Sequence, residues 1–215
     1  RPQRWSDVND IYMHGYWVYD WSDQYLRIES IDTDRREIYP QGPHHGYGYQ
    51  KDARYYFVNI LEELDSPGQW YLHRRKGILY FWPPSDVNPG DVLFSTLEEF
   101  MVSFEQTSYV TIQGITFGIS RSGAIRMIGG SNNKIAGCTF RNLGDDAVVI
   151  KGGTKNGIIG CNIYEVSAGG ARITGGDRKT LTAAGNYATN NHIHHFARIF
   201  RTNRPAISID GVGNL

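Results

Sequence analysis

The feature that most constrains this chain is a self-similarity at a fixed shift. Residues 109–117 (YVTIQGITF) align with 132–140 (NNKIAGCTF) at a shift of 23, and 155–163 (KNGIIGCNI) falls in register after a further 23. A fourth copy, 189–193, is displaced by 30 and therefore carries an insertion. Ten residues after the last apolar position of each copy comes a second apolar strand end: Met127, Ile150 and Ile173. In the fourth copy Ile209 follows Ile193 by 16, because residues 199–204 lengthen the loop. Short apolar strands at this period, each closed by glycine, read as a solenoid. One coil cannot bury its own apolar face, so coils must stack in parallel at the strand spacing of about 4.8 Å. Inward ladders follow: Ile112, Ile135 and Ile158 in one, and Phe117, Phe140, Ile163 and Ile193 in another. A leucine-rich repeat shares the period but needs a Leu-x-x-Leu-x-Leu pattern and a helix, and the sequence has neither.

Composition agrees with a β-rich chain full of turns. Of 215 residues 25 are Gly, aromatics make up 13% and charged residues 20%. The 22 Lys and Arg balance 22 Asp and Glu, which argues against nucleic acid or a membrane surface as partner. No apolar run reaches the roughly 18 residues of a membrane-spanning helix. Two cysteines, Cys138 and Cys161, are too few for a disulfide scaffold and share one ladder position. They read as reduced packing residues. No cofactor or metal is expected.

The first ninety residues differ in character and hold all five Trp. Residues 16–21 and 25–32 alternate like half-buried strands. Residues 41–49 are a Gly- and Pro-rich loop. Asp52 offers an N-cap to Ala53, Tyr56, Phe57, Ile60, Leu61 and Leu64, whose spacing predicts a helix ended by Ser66-Pro67-Gly68. Residues 69–73 and 77–82 read as a hairpin closed by Pro83-Pro84. Its Trp70, Tyr71, Tyr80, Phe81 and Trp82 could stack on sugars, but a lid over the end of the solenoid is the favoured role. The expected fold is therefore mainly β. A right-handed parallel β-helix of about four to five coils (91–215) follows a small α+β module (1–90) with one helix and a Trp/Tyr-rich hairpin. The unit 1–90 would cap or interrupt the solenoid.

Residues 59–72, the run Gly77-Ile78-Leu79-Tyr80-Phe81-Trp82-Pro83-Pro84, the segment opening Gly175-Gly176-Asp177-Arg178, and residues 190–194 and 211–214 resemble secreted right-handed parallel β-helix carbohydrate-active enzymes. The similarity is to glycoside hydrolases of the β-xylosidase and α-fucosidase/xylanase type. It implies a polysaccharide as substrate, a secreted, extracellular or periplasmic location, and further coils with catalytic carboxylates beyond Leu215. The open edge left by the fourth coil leads to the same expectation: the chain is an internal fragment whose missing coils follow in the natural protein or come from another polypeptide.

Candidate site residues fall in the repeats. Asp145 and Asp146, in Gly144-Asp145-Asp146, are paired carboxylates at the mouth of a strand, the chemistry that glycosidic hydrolysis needs. The run is similar to the Gly-Asp-Asp segment of polygalacturonases. That family's further Asp and His would fall near Ser122-Gly123 and within 167–170, where this sequence has neither. The competing account is that both aspartates cap a tight turn. Beside them an outward row holds Ser103, Arg126, Val149, Arg172 and Ser208, with Lys151, Thr174 and Asp210 two residues on. Arg126, Lys151, Arg172 and Asp210 are the expected glycan contacts. The two arginines, two coils apart, suit a sugar carrying carboxylate or sulfate; the competing account is a solvated face. His192 joins the substrate-binding set. With His194 it shares a strand face, too little for a metal site. Asp177-Arg178-Lys179 reads as a loop with an internal salt bridge. The expected function is polysaccharide hydrolysis by paired carboxylates. The alternatives are a non-catalytic glycan-binding or structural piece, and a polysaccharide lyase using Arg172 and Lys151.

Overall fold

The computed structural model describes residues 2–88 and 92–215, and the chain divides into two compact units, Arg1–Val92 and Leu93–Leu215. The boundary expected at 90–91 lies outside the described residues.

In the first unit, β1 (Tyr12–Tyr16), β2 (Gln24–Asp32), β3 (Glu37–Pro40) and β4 (Arg54–Val58) form an antiparallel sheet in the order β3-β2-β1-β4. The hairpin β5 (Trp70–His73) and β6 (Ile78–Phe81) forms as expected. The helix expected from Ala53 to Leu64 does not. Residues Arg54–Val58 pair with β1 along five positions, and only Leu61–Glu63 make a single 3-10 turn. The apolar residues that matched a helical period include Tyr56 and Phe57, part of an aromatic run that also suits a pleated surface. Pairing with β1 overrides the local periodicity. Asp52, the expected N-cap, has φ 65° and turns the chain into β4 instead. The first strand also lies four residues earlier than expected, so 17–21 form a turn. Gly15 makes room for this turn: a Cβ there would lie 2.8 Å from the Trp17 ring.

The second unit is a solenoid of three parallel sheets. β7 (Val102–Glu105), β10 (Ile125–Ile128), β13 (Val148–Lys151), β16 (Ala171–Gly175) and β19 (Ile207–Gly211) make one sheet. β8 (Thr111–Gln113), β11 (Lys134–Ala136), β14 (Gly157–Ile159) and β17 (Tyr187–Thr189) make the second. β9 (Thr116–Ser120), β12 (Thr139–Leu143), β15 (Asn162–Val166) and β18 (His192–His194) make the third. The registers pair Ile112 with Ile135 and Ile158, and Phe117 with Phe140, Ile163 and Ile193, as the repeat requires. The Phe117 and Phe140 rings stack with 5.2 Å between centroids. Each coil bends at a left-handed residue, Gly114, Gly137, Gly160 and then Asn190 in the same position. Cys138 and Cys161 are buried and free, and burial pushes the Cys161 thiol up. No helix among the described residues is long and apolar enough to cross a membrane.

A ladder of fully buried asparagines runs through the turn between the first and second sheets. Val110 N–H donates to Asn133 Oδ1 (3.1 Å), Asn133 N–H to Asn156 Oδ1 (3.0 Å), and Asn156 N–H to Asn186 Oδ1 (2.9 Å). Each side-chain amide also donates to carbonyls of an earlier coil, as Asn133 Nδ2 does to Thr107 O at 2.6 Å. Removing one amide leaves backbone donors buried without acceptors. Asn156→Ala is expected to cost about 2–3 kcal/mol in urea unfolding, whereas Lys155→Ala beside it, being exposed, is expected to stay within about 0.5 kcal/mol.

Candidate functional site

A concavity of the solenoid unit opens on the outward face of the β19-β16-β13-β10-β7 sheet. It is a cleft of about 600 Å³, lined by Asp146, Arg172, Thr174, Ser208 and Asp210 from the coils and by Thr202, Asn203 and Arg204 from the loop before β19. The repeat explains the floor. Parallel register places Arg172 between Val149 and Ser208, and Thr174 between Lys151 and Asp210. The loop forms a wall because the fourth coil carries more chain before its return to the sheet, 16 residues from Ile193 to Ile209 against ten in the earlier copies.

Asp146 sits at the turn before β13 and is nearly buried, its side chain 7% exposed. Its two oxygens are both engaged by the next coil. Gly169 N–H donates to Oδ1 at 2.7 Å, and Arg172 Nη2 lies 2.5 Å from Oδ2. Asp145 is half-buried and accepts the N–H of Asp146 at 2.8 Å. The turn-capping account thus holds for part of each carboxylate, while Asp146 also faces the cleft through its partner Arg172. Asp210, at the far end, is ion-paired with Arg178. The salt bridge expected inside the 177–179 loop is replaced by this one, since Asp177 instead accepts Lys179 N–H at 2.8 Å. The loop is pinched shut by paired backbone bonds between Asp177 and Thr182.

Of the expected site residues, Asp145 and three glycan contacts do not line the cleft. Arg126 lies against Phe100, 5.5 Å from the ring centroid, and Glu105 Oε1 is 3.7 Å from its guanidinium. Lys151 is exposed on β13. His192 lies on β18, in a different sheet. There His192 and His194 share a face, with ring centroids 4.5 Å apart, and His194 stacks flat on Tyr164 at 5.2 Å. No group of three or more His, Cys, Asp or Glu among the described residues is placed to hold a metal. Conversely, Asn203 and Arg204 entered the cleft without having been singled out. Arg204 stands over the Phe200 ring, 5.6 Å from its centroid. The available signal was the 16-residue spacing between Ile193 and Ile209, which marks a loop at the same end of the strand as Asp146.

With the coils and the cleft in place, the comparison with known proteins is decisive for the fold. Residues 100–211, just over half the chain, match the family described as right handed beta helix region. The chain belongs to this family. No curated protein and no solved structure matches it. The matched span runs from two residues ahead of β7 to the last residue of β19, so it contains every strand of the solenoid and the whole cleft.

Two outcomes follow from the geometry of this β-helix. Arg172→Ala removes the guanidinium from the Asp146 carboxylate and keeps the Gly169 N–H. Because the guanidinium is 44% exposed, the expected loss is about 1–2 kcal/mol, less than for a fully buried pair. Denaturant midpoints of the single and double variants (Arg172→Ala, Asp146→Asn) would measure the coupling. The second concerns pH. Desolvation, and then the neighbouring His192 and His195, hold His194 below its ordinary 6.5. The unfolded chain therefore binds that proton more readily, so the contribution is present above about pH 6.5 and lost as pH falls through the lower folded value. Thermal midpoints should drop between pH 7 and 5, and His194→Gln should flatten that drop.

Proposed function

We propose that this β-helix protein acts on a polysaccharide, taking an extended glycan with carboxylate or sulfate groups into the cleft of the β19-β16-β13-β10-β7 sheet and hydrolysing its glycosidic bonds. The observation that carries this reading is the convergence of Arg172, Arg204, Asn203 and Ser208 with the carboxylates Asp146 and Asp210 around one concavity. Guanidinium forks suit anionic substituents, and hydroxyl and amide groups suit sugar hydroxyls. The likeness to secreted β-helix glycoside hydrolases supports the same substrate class and an extracytoplasmic location. In this reading Asp146 is the carboxylate nearest the glycan, oriented by Arg172 and Gly169, with Asp145 beside it.

One observation favours a second reading, in which the cleft holds a glycan without cleaving it. Asp210 is in register with Lys151, five positions beyond Asp146 and two coils away. That places the two backbones about 16 Å apart along the strand and about 10 Å across it. Acid–base pairs of glycosidases stand about 5–9.5 Å apart. Asp146 and Asp210 alone do not make such a pair.

Incubation with acidic and neutral plant and algal polysaccharides separates the readings. Hydrolysis is expected to release reducing ends, lost in Asp146→Asn. Products absorbing as unsaturated uronates would instead assign a lyase. Retention on an acidic-glycan column without products, weakened about tenfold in Arg204→Ala, would leave binding alone. Neither products nor retention would overturn both readings.

A further inference from the structure

The first unit carries a feature for which neither its core nor its sheet accounts. Between β1 and β2 the chain turns through Tyr19 and Trp21, whose rings lie within 10° of parallel at 5.1 Å between centroids. Tyr47, from the 41–53 loop, stands edge-on to both, at 5.3 and 5.5 Å. The three rings pack on one another yet stay 45%, 54% and 58% exposed. Their backbone is fixed. Ser22 N–H donates to Tyr19 O (3.1 Å), the Ser22 hydroxyl meets His45 Nε2 (3.1 Å), and Gln50 N–H donates to Trp17 O (2.8 Å). The platform is therefore held in place by the turn itself.

Tyr19 and Trp21 also line a concavity of about 460 Å³, whose polar lining includes Asp20, Gln50, Lys51 and Arg54. Arg54 Nη2 lies 2.5 Å from Asp20 Oδ1, and its guanidinium stands 4.9 Å from the Tyr16 ring centroid. Single exposed aromatics are ordinary, but a contiguous group of ordered rings marks an interaction site. The fringe narrows the ligand. A wholly apolar partner would strip water from Asp20, Lys51 and Arg54 without replacing their hydrogen bonds. An anion or a cation would meet both signs of charge within the same rim. A pyranose ring offers what both surfaces need, a face of C–H groups for the indole and phenol rings and a rim of neutral hydroxyls for the amide, carboxylate and guanidinium.

We propose that Tyr19, Trp21 and the adjoining concavity form a binding site for a neutral saccharide. Its residues all belong to the N-terminal unit, so the assignment does not depend on any reaction in the β-helix cleft. The volume falls in the range of small-ligand sites.

The test is retention of the full chain in gels containing a neutral β-1,4-xylan, β-1,3-glucan or mannan, with tryptophan fluorescence followed on adding the matching oligosaccharides. Wild type is expected to be retarded by at least one of them. Trp21→Ala should weaken that retention about tenfold, the scale of one lost stacking contact, while Trp21→Phe keeps most of it. The exposed position predicts an unchanged thermal midpoint, and Tyr19→Ala provides a second variant of the same stack should Trp21→Ala fail to fold. Retention without any cleavage product would still support the site, because binding alone is read. No retention by any of the three polysaccharides, or equal retention of wild type and both alanine variants, would overturn it. So would self-association of wild type that Trp21→Ala abolishes with no glycan retention, which would assign the platform to a second copy of the chain.

Discussion

The bonds from backbone N–H groups to the buried side chains of Asn133, Asn156 and Asn186 are the constraint on which the solenoid depends. Apolar ladders tolerate exchange of one large side chain for another. A buried amide does not, because each of its groups answers a backbone group one coil away. The ladder holds the second sheet at a spacing of 23 residues between Asn133 and Asn156, and at 30 between Asn156 and Asn186. Extra chain in the fourth coil must loop outward so that Asn186 still meets Asn156. The alignment of all three sheets, and hence of Asp146 with Gly169 and Arg172, follows from that closure.

The cleft is electrostatically quieter than its residue list implies. Asp146 is answered by Arg172 and Asp210 by Arg178. Both pairs join residues from different coils or loops, so they fasten the structure as well as line the site. A ligand entering the cleft competes with, or adds to, contacts that already exist. Arg204, stacked on Phe200 in the loop wall, is the cation there whose described contact is an aromatic ring.

How far the fold was legible in the sequence depends on the kind of interaction. The 23-residue shift, together with the longer fourth copy, placed the apolar ladders and the outward row Ser103, Arg126, Val149, Arg172, Ser208 in register, because parallel stacking converts sequence spacing directly into neighbours. The N-terminal unit offered no such repeat. There an i, i+3, i+4 pattern over 53–64 matched a helix as well as it matched nothing else, and only the distant strand β1 decided for β4. Of the site, Arg172 and Asp210 were readable from register, and Asp146 from the Gly144-Asp145-Asp146 run at a strand mouth. Arg204 and Asn203 were not, since a loop of non-repeating length carries no partner in another coil to fix its position. The asparagine ladder follows the same spacings of the copies, 23 and then 30, yet polar residues near glycine turns look like ordinary loop residues until their burial is known.

One consequence lies in the pinched loop that begins at Asp177. Its ends are joined by the two backbone bonds between Asp177 and Thr182, so what lies between them is excused from the geometry of the coil. Lengthening such a closed excursion costs only about 0.6 kcal/mol for each doubling. Segments of quite different size and chemistry could be exchanged at that neck while the stack beneath kept its alignment. Arg178 lies inside that excursion and reaches back to Asp210. The rim of the cleft is thereby free to diverge faster than its floor, and related chains could alter what they grip without refolding.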